Sequence, residues 1–101
     1  MTLHYKIDGR MRSLTIMLDK YENGNIAVTL YTKRGEPFAD LTVNICELPK
    51  GLACIDINNF PEAIDLIKEY DLGKFTNNFV QSGFCQYPVY VLNMENLEKY
   101  A

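Results

Sequence analysis

Two glycine-containing turn dipeptides, Asp8-Gly9 and Asn23-Gly24, separate three runs in which apolar and polar residues alternate. Each dipeptide predicts a β-hairpin, and Asn-Gly in particular suits a type I′ turn, whose two central residues need positive φ. Alternation with a period of two places one set of side chains on a buried face. The first third of the chain therefore predicts an antiparallel meander. Its inward-facing residues would be Leu3, Tyr5, Ile7, Leu14, Ile16, Leu18, Ile26, Val28 and Leu30.

A further turn, KRGEP at residues 33–37, ends the third run. The next segment, ADLTVNI at residues 39–45, alternates again and predicts one continuous strand. LPKG then breaks the chain, and ACIDI at residues 53–57 predicts a short fifth strand. The side chains that share the apolar face of the fourth strand would be Ala39, Leu41, Val43 and Ile45.

The hydrophobic period changes at residues 58–73, NNFPEAIDLIKEYDLG, which predict one main α-helix. Asn59 and Glu62 have the spacing of a capping box, and Pro61 suits the first turn. Gly73 suits the left-handed residue that follows a helix C-terminus. The apolar face expected to pack on the sheet contains Phe60, Ala63, Ile64, Ile67 and Tyr70.

Three carboxylates, Glu62, Asp65 and Glu69, lie on the opposite face of this predicted helix, within about 60° of arc. Two interpretations remain open. Charged residues usually cover the solvated back of an amphipathic helix. The same stripe would also suit a basic patch on a partner protein.

Beyond the helix, residues 74–86 show neither the period of a helix nor that of a strand and predict an irregular loop. Residues 88–92 predict a final strand, and a short helix capped by Asn93 follows it. Strands and helix are segregated along the chain, which indicates an α+β fold rather than βαβ units. We expect one domain over residues 1–101. Its architecture would be an antiparallel β-meander sheet of four to six strands, packed by one main α-helix, with a short C-terminal helix.

The most unusual segment is QSGFCQYPVY at residues 81–90, which combines a glycine, a cysteine and three aromatic residues around a proline. The packing interpretation places Gly83 at positive φ and folds Phe84 and Tyr87 back onto the core. In that interpretation Pro88 starts the last strand at an edge or entry position.

Two other interpretations of this segment stay open. In a recognition loop, Phe84 and Tyr87 would anchor a partner protein. Its polar contacts would be Gln81, Ser82 and Gln86. Catalysis by Cys85 would need the single histidine, His4, within about 3 Å. Because no Lys, Arg or His lies within ten residues of Cys85, we expect a buried, protonated thiol there.

Catalytic and metal-binding patterns are otherwise missing from the sequence. Cys46 and Cys54 are eight residues apart, with no CxxC pair and no histidine nearby, so we expect small buried hydrophobes rather than a zinc site. The carboxylates of Asp40 and Asp56 flank apolar strands without the clustering that a two-metal site needs. No glycine-rich phosphate loop occurs. We therefore expect no enzyme activity, no metal and no cofactor.

Composition and charge narrow the classes of partner. Apolar residues make up 48% of the chain, as in globular proteins, and no apolar run approaches the ~20 residues that cross a bilayer. The N-terminus resembles no signal peptide, so we expect a cytoplasmic protein. Residues 1–54 carry seven Lys/Arg and six Asp/Glu, and residues 55–101 carry three and seven. Because no basic stripe exists, we expect no direct binding of nucleic acid.

Four segments carry a resemblance to a known family over residues 22–92. They are GEPFADLTVNI (35–45), IDINNFP (55–61), LIKEYDLGK (66–74) and QSGFCQYPVY (81–90). The chain resembles a family of short proteins, described as a domain of unknown function, that is carried on plasmids and conjugative elements of Gram-positive bacteria. That resemblance implies a mobile-element protein, and some small acidic proteins of this kind are anti-CRISPR inhibitors.

We therefore expect a non-enzymatic protein that binds another protein, with a type II CRISPR effector nuclease as the leading candidate. Binding would block loading of guide RNA or DNA. The alternative is an accessory module of a conjugation or plasmid-maintenance system. Formation of a homodimer through an exposed strand edge is a further alternative. Contact would be made by the acidic helix face and by the loop at residues 75–88. The expected partner-binding residues are Glu62, Asp65, Glu69, Gln81, Ser82, Phe84, Gln86 and Tyr87.

Overall fold

A computed structural model describes residues 1–101. The fold consists of two four-stranded antiparallel sheets, whereas the sequence predicted a single meander sheet. The first sheet has the order β1-β2-β3-β4, and the second has the order β5-β6-β8-β7. The first contains β1 (Leu3–Ile7), β2 (Arg10–Lys20), β3 (Ile26–Thr32) and β4 (Pro37–Asp40). The second contains β5 (Thr42–Val43), β6 (Leu52–Ile55), β7 (Gly73–Ser82) and β8 (Cys85–Leu92).

The predicted meander is confirmed in the first sheet. Asp8 (φ 53°) and Gly9 (φ 77°) join β1 to β2 as a tight turn. The hairpin at Asn23-Gly24 is also present, but only Gly24 has positive φ, so its turn is not type I′. Instead, the Tyr21 amide donates to the Asn25 carbonyl across a longer loop.

The predicted strand at residues 39–45 is wrong, because the chain leaves the first sheet at Leu41 and enters the second. Leu41 and Thr42, which are adjacent in the chain, are both buried. The Leu41 amide donates to the Val28 carbonyl, and the Val28 amide donates to Thr42 Oγ1 at 3.0 Å. A segment enclosed by both sheets has two buried faces, so its alternating pattern could not reveal the transfer.

The irregular loop predicted at residues 74–86 is a ten-residue strand, β7, which pairs with β8. A bulge interrupts the ladder, because Phe75 opposes Tyr90 while Phe79 opposes Pro88. Asn77 (φ 68°) lies inside this bulge and destroys the period of two. Pro88 lies within β8 rather than at its start, and the bulge tolerates the missing N–H group.

The predicted capping box at the main helix, α1 (Ala63–Tyr70), is absent. Asp56 instead organises the turn that precedes α1: its carboxylate accepts hydrogen bonds from the Asn59 amide (3.2 Å) and from Asn59 Nδ2 (3.1 Å). The Glu62 side chain makes no capping bond. A carboxylate three residues before the predicted cap performs the local bonding that Asn59 and Glu62 were expected to share.

The predicted helix stop at Gly73 is also wrong. Asp71 adopts the left-handed conformation (φ 52°) after α1, and Gly73 already belongs to β7. A Cβ atom at Gly73 would lie 2.8 Å from the Val91 carbonyl oxygen, so this glycine permits close strand approach. The predicted cap of the second helix, α2 (Met94–Lys99), is confirmed, because Asn93 Oδ1 accepts from the Asn96 amide at 3.1 Å.

The main core lies between the two sheets and both helices. Strands contribute residues such as Leu14, Leu30 and Ile55, and helices contribute Leu66 and Leu97. A second, smaller core covers the other face of the second sheet. It contains Cys54, Tyr87 and Val89, with Val43, Ile45, Leu48, Leu52, Val80 and Cys85 packed around them.

The α+β class, the antiparallel pairing and the two helices are as the sequence predicted. The single sheet is not. No helix is both long enough and apolar enough to span a bilayer.

Candidate functional site

The hairpin formed by β7 and β8, here called the aromatic hairpin (residues 73–92), carries most of the exposed aromatic surface. Phe84 is fully exposed, Phe79 is 54% exposed and Phe75 is 39% exposed. Residues 75–94 contain no charged side chain. Large apolar side chains that cluster in an uncharged surface region are typical of interaction sites.

Phe75 and Phe79 form a packed pair on one face of this hairpin. Their ring centroids are 5.3 Å apart at an interplanar angle of 68°, and Phe75 lies 5.6 Å from the Tyr90 ring. A groove of about 260 Å³ separates Phe75 from α1, where Ile64 and Lys68 line it. The ring pair is thus held by its neighbours while its outer surface stays accessible.

The tip of the hairpin is the two-residue connection Gly83-Phe84. Gly83 has φ 61°, which confirms the predicted positive φ. The prediction that Phe84 folds onto the core is wrong, because nothing near the tip covers its ring. Gln81 Nε2 donates to the Gly83 carbonyl at 3.3 Å and steadies the turn. Gln81, Ser82 and Gln86 all face solvent.

Tyr87 differs from the other predicted contact residues, because only 7% of it is exposed. It packs in the second core with Cys54 and Val89, which confirms the packing interpretation for this side chain. Burial, followed by the neighbouring Cys85 thiol, raises the pKa of Tyr87. In this conformation Tyr87 supports the hairpin from beneath and does not face a partner.

The acidic stripe of α1 lies on a different side of the molecule. Glu62 is half-buried, and Asp65 and Glu69 are exposed. Burial raises the pKa of Tyr5 on β1, and the charges of Asp65, Glu69 and Glu62 raise it further. The Tyr70 hydroxyl at the end of α1 also bonds to the backbone of His4 in β1. One side of α1 therefore faces β1, whereas the flank with Ile64 faces β7. The eight predicted residues therefore do not form one surface: the three carboxylates lie on α1, four residues lie near the tip of the aromatic hairpin, and Tyr87 is buried.

The groups considered for catalysis are dispersed. His4 is exposed on β1, where its Nδ1 lies 3.1 Å from Ser13 Oγ, while Cys85 lies in the second sheet. Asp40 accepts a hydrogen bond from Thr29 Oγ1 at 3.1 Å, and Asp56 is buried at the turn before α1. No three His, Cys, Asp or Glu side chains form a cluster suited to a metal ion.

The three cysteines occupy different environments. Cys54 is buried, and burial raises the pKa of its thiol. Cys85 is half-buried, and Cys46 is exposed, so the prediction of a buried Cys46 is wrong. The Cys46 carbonyl nevertheless has a structural role, because it accepts a hydrogen bond from Asn25 Nδ2 at 2.7 Å.

Sequence reasoning expected a contact loop at residues 75–88 but did not single out Phe75 and Phe79, because the bulge hid the strand that presents them. The available signal was the absence of charge from residue 75 to residue 94. Here the β8 side is buried and much of the β7 side is exposed.

The fold and this surface define a small α+β protein with two antiparallel sheets and an exposed aromatic hairpin. The chain belongs to the family described as a domain of unknown function (DUF4313), whose model matches residues 15–101. The match contains the whole aromatic hairpin, whereas β1 and the first half of β2 lie outside it. No curated protein matches this chain, and no solved structure does.

Proposed function

We propose that this chain is a non-enzymatic protein-binding module that uses the aromatic hairpin as its contact surface. The observation that carries the proposal is Phe84, a large apolar side chain held fully exposed at a glycine turn. Phe75 and Phe79 extend the apolar surface along the same hairpin. Aromatic side chains of this kind dominate the binding energy of protein interfaces.

The hairpin is preorganised for such a role. Tyr87 and Val89 anchor its inner side in the second core, and the Thr76 hydroxyl donates to the Val89 carbonyl at 2.8 Å across the bulge. A contact surface that is already ordered loses little conformational entropy when it binds. Each Å² of apolar surface covered by a partner contributes about 25 cal/mol before the costs of association.

The partner in this proposal is a type II CRISPR effector nuclease, which the chain would keep from binding guide RNA or DNA. The resemblance noted above and the charge distribution support this choice. A nuclease groove that holds nucleic acid is basic, and the exposed carboxylates of Asp65 and Glu69 complement it. Such complementarity speeds encounter and makes it sensitive to salt, while the aromatic contacts set the dissociation rate.

The test is a binding and cleavage assay with purified type II effectors, with and without guide RNA, at low and at physiological salt. The informative variants are Phe84→Ser and the double substitution Phe75→Ser with Phe79→Ser. The matched control is Met17→Ser, which removes an exposed apolar side chain (51% exposed) from the outer face of the first sheet. Asp65→Asn with Glu69→Gln tests the electrostatic contribution separately.

We expect retention of the effector and inhibition of cleavage by the wild type and by the Met17 control. Both should be lost in the phenylalanine variants, and the acidic variants should mainly slow association. If no effector is retained and cleavage proceeds, the nuclease proposal fails. If instead a protein of a conjugation or plasmid-maintenance system binds and requires Phe84, the hairpin keeps its role and the alternative partner is supported.

A further inference from the structure

A basic groove of about 410 Å³ lies at the turn end of the first sheet, far along the chain from the aromatic hairpin. It exists because β2 extends beyond β3: their last pair is Leu14 with Thr32, and residues 10–13 of β2 pair only with β1. The turn between β3 and β4 forms the other wall. The charged residues that line the groove are Arg12, Lys33, Arg34 and Glu36.

Arg12 is held in a fixed orientation at this groove. Its guanidinium carbon lies 5.2 Å from the centroid of the Phe38 ring, and Phe38 in turn packs edge-on against Phe60. Stacking on an aromatic face leaves the planar donors of an arginine directed sideways. The long side chain therefore does not need to be ordered again when it meets an acceptor.

The Nε atom of Arg12 is buried and has no hydrogen-bond acceptor within the chain. Buried donors in folded proteins almost always have a partner, so this one is exceptional. A ligand in the groove cannot reach the buried Nε atom, but the two Nη groups of Arg12 are not buried and make no hydrogen bond within the chain, so they can donate to an acceptor there. The guanidinium fork pairs best with an oxyanion that accepts two parallel hydrogen bonds, such as a carboxylate or a phosphate.

The charge of the lining distinguishes between these oxyanions. Three cations, Arg12, Lys33 and Arg34, face one carboxylate, Glu36, which leaves a local net charge of +2. A phosphate group carries about −1.5 to −2 charges near neutral pH, so its charge matches the groove better than that of a single carboxylate. Lys33 and Arg34 are exposed and free to close over a ligand.

We propose that this groove is a binding site for a phosphate group, with Arg12 as the fixed bidentate donor and Lys33 and Arg34 as mobile counter-charges. The site is separate from the aromatic hairpin, and the effector assay does not test it. The ligand class is a small phosphate-bearing anion, either inorganic phosphate or a phosphomonoester.

The experiment follows the arginine Nε–Hε resonances of the full chain by NMR. Sodium phosphate and O-phosphoserine are titrated separately, and sodium chloride keeps the ionic strength constant. We expect one arginine resonance, assigned to Arg12 by its loss in Arg12→Lys, to shift with saturation. The stronger of the two ligands identifies the source of the phosphate group.

Three variants test the roles of the lining residues. Arg12→Lys keeps the charge but removes the fork and Nε, and should weaken binding by about tenfold. Arg34→Ala, at an exposed turn residue, should also weaken it by about tenfold. Glu36→Gln removes the opposing carboxylate and should strengthen it about twofold to threefold.

The proposal is overturned if the Arg12 resonance moves linearly without saturation, or if sodium chloride alone produces the same shift. It is also overturned if Arg34→Ala and Glu36→Gln, which alter only exposed side chains, leave the affinity unchanged. Should Arg12→Lys fail to fold, these two variants still decide the outcome.

Discussion

The first and last hairpins of this chain have the same architecture but opposite surfaces. In the β1–β2 hairpin, here called the charged hairpin (residues 3–20), charged residues surround the turn: Lys6, Asp8, Arg10 and Arg12 lie within seven positions. The aromatic hairpin has no charge between residue 75 and residue 94 and presents three phenylalanines to solvent. Both hairpins bury one face, so they differ in the composition of the exposed surface, which is charged in one and aromatic in the other.

The outer edges of the two hairpins differ in the same way. At β1, the Tyr70 hydroxyl accepts from the His4 amide (2.8 Å) and donates to the His4 carbonyl (2.7 Å), which closes the edge. At β7, no element other than β8 hydrogen-bonds to the strand backbone, and only the bulge at Asn77 interrupts the edge. Proteins usually guard open edges with charge. β7 has one such charge, Lys74, at its start, and its bulge also protects the edge, but residues 75–82 carry no charge.

The largest expected effect separates the inner from the outer aromatic residues of the aromatic hairpin. Tyr87→Ala should lower the free energy of unfolding by about 3–5 kcal/mol, because it empties the second core beneath the hairpin. Phe84→Ala should change it by less than about 0.5 kcal/mol, since the Phe84 ring packs on nothing. Urea unfolding measures both values.

A large loss of stability in Phe84→Ala would contradict the division between a structural and a contact side of the hairpin. It would mean that the tip ring packs against the protein in solution, and the proposed contact surface would lose its main anchor.

Sequence patterns predicted the charged hairpin well, because its residues obey a single rule over a long distance. The turn residues Asp8-Gly9 fix the chain reversal, and strict alternation fixes which side chains point inward. Leu3, Ile7 and Leu14 are all buried as expected. The cap at Asn93 was also predictable, since it depends only on the local bond to the Asn96 amide.

The aromatic hairpin was not predictable in the same way. Its bulge places extra residues between Phe75 and Phe79, so neither side of β7 shows a period of two. The strand prediction at Leu41 was wrong for another reason. This segment hydrogen-bonds to both sheets, and no local sequence rule specifies where a chain passes from one sheet to another. In both regions, pairing between residues far apart in the sequence determines the structure.

The candidate site was partly predictable. The segment at residues 81–90 was recognised as unusual, and Gly83 has the predicted φ. Which aromatic ring faces inward was not predictable, because Phe84 and Tyr87 lie on either side of a turn whose position depends on the pairing of Ser82 with Cys85. Exposure of Phe84 and burial of Tyr87 follow from that register.

The second prediction compares the base and the tip of the aromatic hairpin. Gly73→Ala should cost about 1–3 kcal/mol, because its Cβ would lie 2.8 Å from the Val91 carbonyl oxygen, which belongs to the backbone and cannot move freely. Gly83→Ala meets no atom within 4 Å and carries only the strain of its positive φ, about 1 kcal/mol. Thermal unfolding of the two variants tests the order, and a greater loss at Gly83 would refute it.

The third prediction concerns the closed edge of the charged hairpin. Tyr70→Phe keeps the edge-on contact with Tyr100 (5.3 Å between ring centroids) but removes the hydroxyl that bonds twice to His4. We expect a loss of about 1–2 kcal/mol and faster hydrogen exchange of the His4 amide. Met17→Ser is the control, since it leaves this edge intact. Unchanged exchange at His4 would mean that the two edges do not differ as described.

The smallest effect concerns the acidic stripe, which acts on the charged hairpin through Tyr5. Below about pH 9, Tyr5 is protonated in both the folded and the unfolded chain, so it contributes no pH dependence. Its pKa is raised in the folded protein, so at higher pH the unfolded chain releases the proton first, and stability falls as pH rises through the folded pKa. Asp65→Asn removes one of the charges that raise this pKa, and should therefore lower it and weaken the alkaline loss.

The difference in tyrosinate absorbance between each protein and its Tyr5→Phe counterpart isolates this titration from those of the other tyrosines. Asp40→Asn is the matched control, because Asp40 is an exposed carboxylate of the first sheet that does not act on Tyr5. If Asp65→Asn leaves the titration where it is, the stripe does not face β1 in solution. Its carboxylates would then be free to join the aromatic hairpin in one continuous surface, and the separation of the two regions would no longer hold.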